Sequence, residues 1–209
     1  HVLWQIIKQE KKHVIISEIE HQAVSKVLKE IEIYGIEVST ISVNDQGVVK
    51  IEELIDLIKD ETTLVSVMMA NNEIRSIQPI KKIKQILKKY EIPLHTDAVQ
   101  ALGKIKVDVK ELDVDYLSLS AHKFYGPKGI GALYVKNKDD LGSLIIGGNQ
   151  ESVVRGGTEN ISEIIGMGLA AELVTKNQDR WIKNLKKLER YFLEKVEYHL
   201  PHAIHHKTD

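Results

Sequence analysis

Val114-Asp115-Tyr116-Leu117-Ser118-Leu119 runs straight into Ser120-Ala121-His122-Lys123 and then into the turn Phe124-Tyr125-Gly126-Pro127-Lys128-Gly129. A short apolar run bounded by glycine and proline reads as a buried strand. Lys123 then stands at the mouth of that strand, among small, hydroxyl and imidazole side chains. Such a lysine suits Schiff-base chemistry, which needs an amine that can lose its proton and meet a carbonyl in a fixed place. A lysine in a turn is ordinarily just solvated. Asp97 weighs against that reading, because it ends a second apolar run, Ile92-Pro93-Leu94-His95-Thr96. An aspartate there can keep a pyridine nitrogen protonated and make the ring an electron sink.

Outward from these two runs, strand-like and helix-like segments alternate. Val14-Ile15-Ile16 reads as a short buried strand, and residues 22–34 as an amphipathic helix closed by Gly35. Residues 37–43 form a second strand with Asn44-Asp45-Gln46-Gly47 as its turn, 51–59 a helix, and 63–68 a third strand. Pro79 starts a helix reaching about Tyr90, followed by strands at 93–96, 114–120 and 130–135. From about Ile161 the pattern is helical through Val196. This alternation predicts an α/β fold with a mostly parallel sheet and flanking helices. The expected organisation is a cofactor-binding layer over residues 1–175 and the start of a second segment over 176–209.

In such sheets, ligands sit beyond the carboxyl ends of the strands, and the informative polar residues lie there. The first strand is followed by Glu18-Ile19-Glu20-His21-Gln22-Ala23-Val24 and the third by Ala70-Asn71-Asn72-Glu73. The next two are followed by Asp97-Ala98-Val99-Gln100 and Ser120-Ala121-His122-Lys123. Taken singly, His21 reads as a helix cap or structural histidine, Asn71-Asn72 as a turn and Thr158 as a capping residue. Together they exceed what turn chemistry requires. Gly126, Gly129 and Gly131 do not make a dinucleotide loop, since a strand rather than a helix follows them. His199, His202, His205 and His206 have no accompanying carboxylate or cysteine pattern and read as a terminus rather than a metal site.

Composition narrows the class. Lys plus Arg number 29 against 30 for Asp plus Glu, so no bulk field points to nucleic acid or a membrane surface. No run reaches membrane-spanning length and no start resembles a signal peptide, which gives a cytoplasmic expectation. The absence of cysteine excludes internal disulfides, thiolate metal sites and a cysteine nucleophile within these 209 residues. The first residue is His1 rather than Met, so the chain reads as a fragment or a processed product.

The segments His21-Gln22-Ala23-Val24, Asn71-Asn72-Glu73-Ile74, His95-Thr96-Asp97-Ala98-Val99-Gln100, residues 120–129, and Arg155-Gly156-Gly157-Thr158-Glu159-Asn160 closely resemble cysteine desulfurases. That family lies within the class V aminotransferase group of fold-type I pyridoxal phosphate enzymes. The resemblance spans roughly residues 12 to 175 and implies the large-domain core of such an enzyme. It also implies roles: Lys123 as the Schiff-base lysine, Asp97 as partner of the pyridine nitrogen, and His21 stacked on the ring and assisting proton transfer. Gln100 and Asn72 would hydrogen-bond the phenolic oxygen, Ser120 and His122 would bind the phosphate, and Thr158 would reach the phosphate of a neighbouring subunit. The implied cofactor is pyridoxal 5'-phosphate and the implied substrate L-cysteine. A homodimer is implied too, with an iron–sulfur scaffold or other sulfur-acceptor protein as partner, and neither nucleic acid nor membrane is expected.

The chain departs from the family in three places. Arg75 stands where a glycine usually follows the Asn-Asn-Glu-Ile run, and it is strained if the position needs positive φ. The resemblance further implies a glycine- and threonine-bearing phosphate loop before residue 1. It also implies a later segment bearing a persulfide-forming cysteine and a substrate-binding arginine. Neither is among these residues, so the chain is expected to build the cofactor core without completing sulfur transfer. Another class V aminotransferase, a selenocysteine lyase, and a non-catalytic dimerisation or partner-binding relative remain as alternatives on the same core.

Overall fold

The computed structural model describes residues 1–203. A short helix α1 (Val2–Gln5) leads into strand β1 (His13–Ser17), helix α2 (Gln22–Ile31) and strand β2 (Glu37–Ile41). Helix α3 (Ile51–Leu57), strand β3 (Thr62–Ser66), helix α4 (Ile80–Leu87) and strand β4 (Leu94–Asp97) follow. The chain continues through α5 (Val109–Leu112), β5 (Tyr116–Ser120), β6 (Gly131–Val135) and the long helix α6 (Ile161–His199). The six strands lie in the order β2-β1-β3-β4-β5-β6. The β1–β2, β1–β3, β3–β4 and β4–β5 pairs are parallel, and β6 runs antiparallel to β5. The sheet is thus the mostly parallel one that the alternating pattern predicts.

Period-two alternation in β1 builds a core on each face. Val14 and Ile16 pack with Val24, Leu28 and Ile31 of α2 and with Val2, Leu3 and Ile6. Ile15 faces the other way, toward Leu54 of α3 and Ile80, Ile83 and Leu87 of α4. On α2, the buried Val24, Leu28 and Ile31 recur at helical spacing. Each such side chain contributes about 1.5–3 kcal/mol on burial, so Leu28→Ala should cost roughly 2–5 kcal/mol. Gly35, at φ 80°, closes the helix in a left-handed conformation that glycine adopts without strain.

Element ends differ from expectation by a few residues, for identifiable reasons. β2 stops at Ile41, because Val43 instead bridges antiparallel to Val49 across the turn. The Asn44 side chain accepts from the Gln46 and Val48 N–H groups there. β3 stops at Ser66, and the Met68 N–H beyond it donates to the Glu20 side chain. α6 runs unbroken through Lys176, the position at which the sequence reading begins a second segment.

This order positions the site. From β1 the chain goes to one neighbour, β2, and later to the other, β3, so a crevice opens at the carboxyl ends where the order reverses. Loops after β1, β3, β4 and β5 all emerge at that edge.

Candidate active site

Asp97 is the last residue of β4 and is only 8% exposed. Its Oδ1 accepts from the Val99 N–H at 2.9 Å, which turns the chain away from the sheet while the carboxyl faces the crevice. Burial pushes its pKa above the ordinary aspartate range, opposed by the Val99 hydrogen bond and by His21. The strand beneath is held by a relay of polar side chains through the sheet. His95 Nδ1 lies 2.8 Å from Ser66 Oγ of β3, and its Nε2 lies 2.9 Å from Ser118 Oγ of β5. Burial pushes His95 down to about 4, so the relay holds a neutral imidazole at pH 7.

His21 caps α2: its Nδ1 accepts from the Ala23 N–H at 3.1 Å. The capping reading of this residue is therefore correct, and it also fixes the ring. With Nδ1 accepting, the neutral imidazole carries its proton on Nε2. Lys123 follows β5 in a 3₁₀ turn over Ala121–Phe124. That turn is seated by Ala121 and Phe124, which pack on Ala170 and Val174 of α6. Gly126 is required beside it, since a Cβ there would lie 2.9 Å from Ala121 Cβ and 3.1 Å from the Ala121 carbonyl oxygen. Ser120 Oγ and His122 Nδ1, 2.9 Å apart, form a polar pair at the same rim.

These groups share one cavity of about 350 Å³, lined by His21, Asn72, Asp97, Gln100, Ser120, His122 and Lys123, with Ala23, Met68 and Val99 as its apolar wall. Seven of the eight residues singled out from sequence are brought together there. Thr158 is not: it lines a separate cavity of about 710 Å³ with Gly131, Arg155 and Asn160. The donor set suits a flat, anionic, carbonyl-bearing ring. It offers an amine, a buried carboxyl, an imidazole able to lie over a ring face, and hydroxyl and imidazole groups for an anion.

Two nearby groups carry no assigned role in the sequence. Lys104 donates to Gln100 Oε1 at 2.6 Å, and both burial and the charge of Lys123 lower its pKa. Its spacing of four from Gln100 on a turn was the available signal. Glu20, adjacent to His21, is pushed up to about 8, chiefly by burial. Arg75 is left-handed at φ 63°, the conformation that the expected glycine would favour, and its guanidinium pairs with Glu189 of α6 at 2.8 Å. Among the described residues, no cluster of three or more histidine, cysteine, aspartate or glutamate side chains is arranged for a metal. His205 and His206 lie outside the described residues.

The aminotransferase class-V family model matches residues 2–203. Among curated relatives, the cysteine desulfurase IscS of Dictyoglomus turgidum is 47% identical over 186 residues, covering 89% of this chain and 47% of that protein. The mitochondrial cysteine desulfurase of Saccharomyces cerevisiae is 46% identical over 183 residues, covering 87% and 37%. The chain spans about half the length of the most similar of these relatives. A solved NifS-like protein superposes with a TM-score of 0.90 at 38% identity, covering 94% of this chain and 55% of that one. A structure described as SspA in complex with cysteine gives 0.77 at 39% identity, covering 82% and 50%.

Proposed function

Because the chain belongs to the class-V aminotransferase family, we propose that it carries the cofactor-binding core of a pyridoxal 5'-phosphate-dependent cysteine desulfurase. That enzyme takes sulfur from L-cysteine, leaves alanine and passes the sulfur on as a persulfide. The observation that carries the reading is the convergence of Lys123, Asp97, His21, Asn72, Gln100, Ser120 and His122 on one cavity. The names of the curated relatives and of the cysteine complex support the choice of substrate.

The residues present fit this cofactor. Lys123 would supply an amine for the cofactor's aldehyde, and Asp97 would supply a carboxylate for the ring N–H. A protonated ring nitrogen beside Asp97 would draw that carboxyl's pKa back down, offsetting the effect of burial. His21, with Nδ1 accepting from Ala23 and its proton on Nε2, would lie over the ring and hold that proton toward it as a donor. Asn72 and Gln100 would hydrogen-bond the phenolic oxygen, and Ser120 and His122 would hold phosphate oxygens at the rim. When bound, the cofactor supplies an electron sink for charge developing on the substrate's α-carbon. The 209 residues contain no cysteine, so the thiol that takes the sulfur comes from outside them.

Several finer points belong to the same proposal. Thr158, exposed and in a cavity apart from Lys123, suits contact with a second subunit's phosphate in a homodimer. An iron–sulfur scaffold or similar acceptor protein receives the sulfur. Residues 1–175 act as the cofactor domain and 176–209 begin a smaller one. The compartment is proposed to be the cytoplasm. Among the described residues no helix is long and apolar enough to cross a membrane.

The test is to add pyridoxal 5'-phosphate to the purified chain and to a Lys123→Ala variant, reduce with borohydride, and locate the labelled peptide. Label on Lys123 that is lost in the variant supports the reading. A reducible adduct that persists in Lys123→Ala overturns it.

A further inference from the structure

Glu20 ends the turn after β1 and immediately precedes His21. Its Oε1 accepts two hydrogen bonds, from Ser17 Oγ and from the Met68 N–H, each at 2.6 Å. These tie the end of β1 to the chain just beyond β3. Met68 and His21 both line the Asp97–Lys123 cavity, so Glu20 is the brace between two of its walls. The residue is half-buried as a whole, but Oε2 is sealed from solvent and has no hydrogen-bond partner among the described residues. A sealed oxygen without a donor is a poor place for half of a carboxylate charge. A neutral carboxyl there, whose hydroxyl also lacks a partner, still costs far less than a buried charge.

The electrostatics agree with that geometry. Burial raises Glu20 to about 8 and the Asp97 charge adds to the rise, while the Ser17 and Met68 hydrogen bonds oppose it. The titratable groups facing Glu20 are Asp97 at the end of β4 and His21 at the start of α2. Glu18 and Glu73 share with it a smaller neighbouring cavity that also includes His21 and Asn72. Burial raises Asp97 as well, but there the Val99 hydrogen bond and His21 oppose the rise. Oε2 of Glu20 has no donor among the described residues, so Glu20 keeps the proton and Asp97 the charge.

We propose that Glu20 is a positioning residue of the site, a carboxylic acid that holds its proton on Oε2. It thereby braces His21 against the β3 end and leaves Asp97 as the one carboxylate facing the cofactor's ring nitrogen. This rests on the cofactor reading above, but its first readout does not. When Glu20 ionises, a buried charge without a donor appears at Oε2, and the brace between Ser17 and Met68 must open to let water reach it. Cofactor affinity then falls on the alkaline side for a reason that lies in the protein.

The experiment uses the 209-residue chain with Glu20→Gln, Glu20→Ala and Asp97→Asn variants. Carbon-13 carboxyl spectra of the cofactor-free proteins are followed from pH 5 to 10, and pyridoxal 5'-phosphate affinity is titrated from pH 7 to 9. One carboxyl should titrate near pH 8 in the parent and somewhat lower in Asp97→Asn, where the charge that adds to the rise is gone, and be missing from both Glu20 variants. Affinity in the parent, relative to Glu20→Gln at each pH, should fall about tenfold for each unit of coupling between ionisation and binding. Glu20→Ala should bind more weakly than Glu20→Gln at every pH, because it has no acceptor for Ser17 and Met68. No carboxyl titrating near pH 8, or an alkaline fall of equal size in Glu20→Gln, overturns the proposal. If no protein binds cofactor at any pH, the reading of the cavity fails, and the carboxyl spectra still decide the state of Glu20.

Discussion

Arg75 sets two effects of similar size against each other, and a pair of substitutions separates them. Its backbone is left-handed at φ 63°, which costs a residue with a Cβ roughly 1–2 kcal/mol. Its guanidinium pairs with Glu189 at 2.8 Å, with side chains 70% and 41% exposed. Exposed pairs of that kind contribute about 0–1 kcal/mol and weaken with salt. Arg75→Ala keeps the strained backbone and loses the pair, so it should cost up to about 1 kcal/mol. Arg75→Gly loses the pair as well but relieves the strain, against a penalty of about 0.5–1 kcal/mol for glycine's freedom in the unfolded chain. The glycine variant should therefore be more stable than the alanine variant by about 0–1.5 kcal/mol, and close to the parent. Urea unfolding at constant m-value measures this, with Glu189→Gln reporting the ion pair alone. A glycine variant less stable than the alanine variant would refute the strain argument. A loss above about 2 kcal/mol in both, matched by Glu189→Gln, would show that the pair to α6 dominates.

Asp97→Ala, if cofactor still binds, should lose most alanine formation in a longer chain that supplies the thiol, and near-parental turnover there removes Asp97 from the mechanism. The 209-residue chain with cofactor, L-cysteine and a reductant should release sulfide no faster than free cofactor, because it contains no thiol. Saturable release above that background shows that the reading of the sulfur step is wrong. His95, held near pKa 4 by burial, is depressed below the ordinary histidine value of 6.5. Its contribution is thus complete above pH 6.5 and is lost as pH falls toward 4, by about 3 kcal/mol. The stability difference between parent and His95→Gln should shrink by that order between pH 7 and 4.5, and a difference independent of pH would count against a neutral buried imidazole.

Much of the fold was legible along the chain, because helix and strand periodicities are local. Val14, Ile15 and Ile16 declared a strand buried on two faces, and Gly35 and Pro79 marked real helix ends. The site was legible for a related reason. Parallel strands deliver all their carboxyl ends to one edge, so Asp97 at the end of β4 and His21, Asn72 and Lys123 a few residues past β1, β3 and β5 come to that edge together. Tertiary structure decided what depends on desolvation and on contacts between distant residues. The raised pKa of Glu20 and the lowered pKa of His95 both follow chiefly from burial, with the Asp97 charge adding to the first. The glycine that Arg75 replaces raised a left-handed backbone there only as a condition, and its partner, 114 positions away on α6, was not foreseen at all. Whether Thr158 joins Lys123 or stands apart was likewise a matter of how β6 and the loop before α6 pack. Sequence spacing carries element and edge, whereas a protonation state sums the fields and the lost water of groups that only the folded chain brings together.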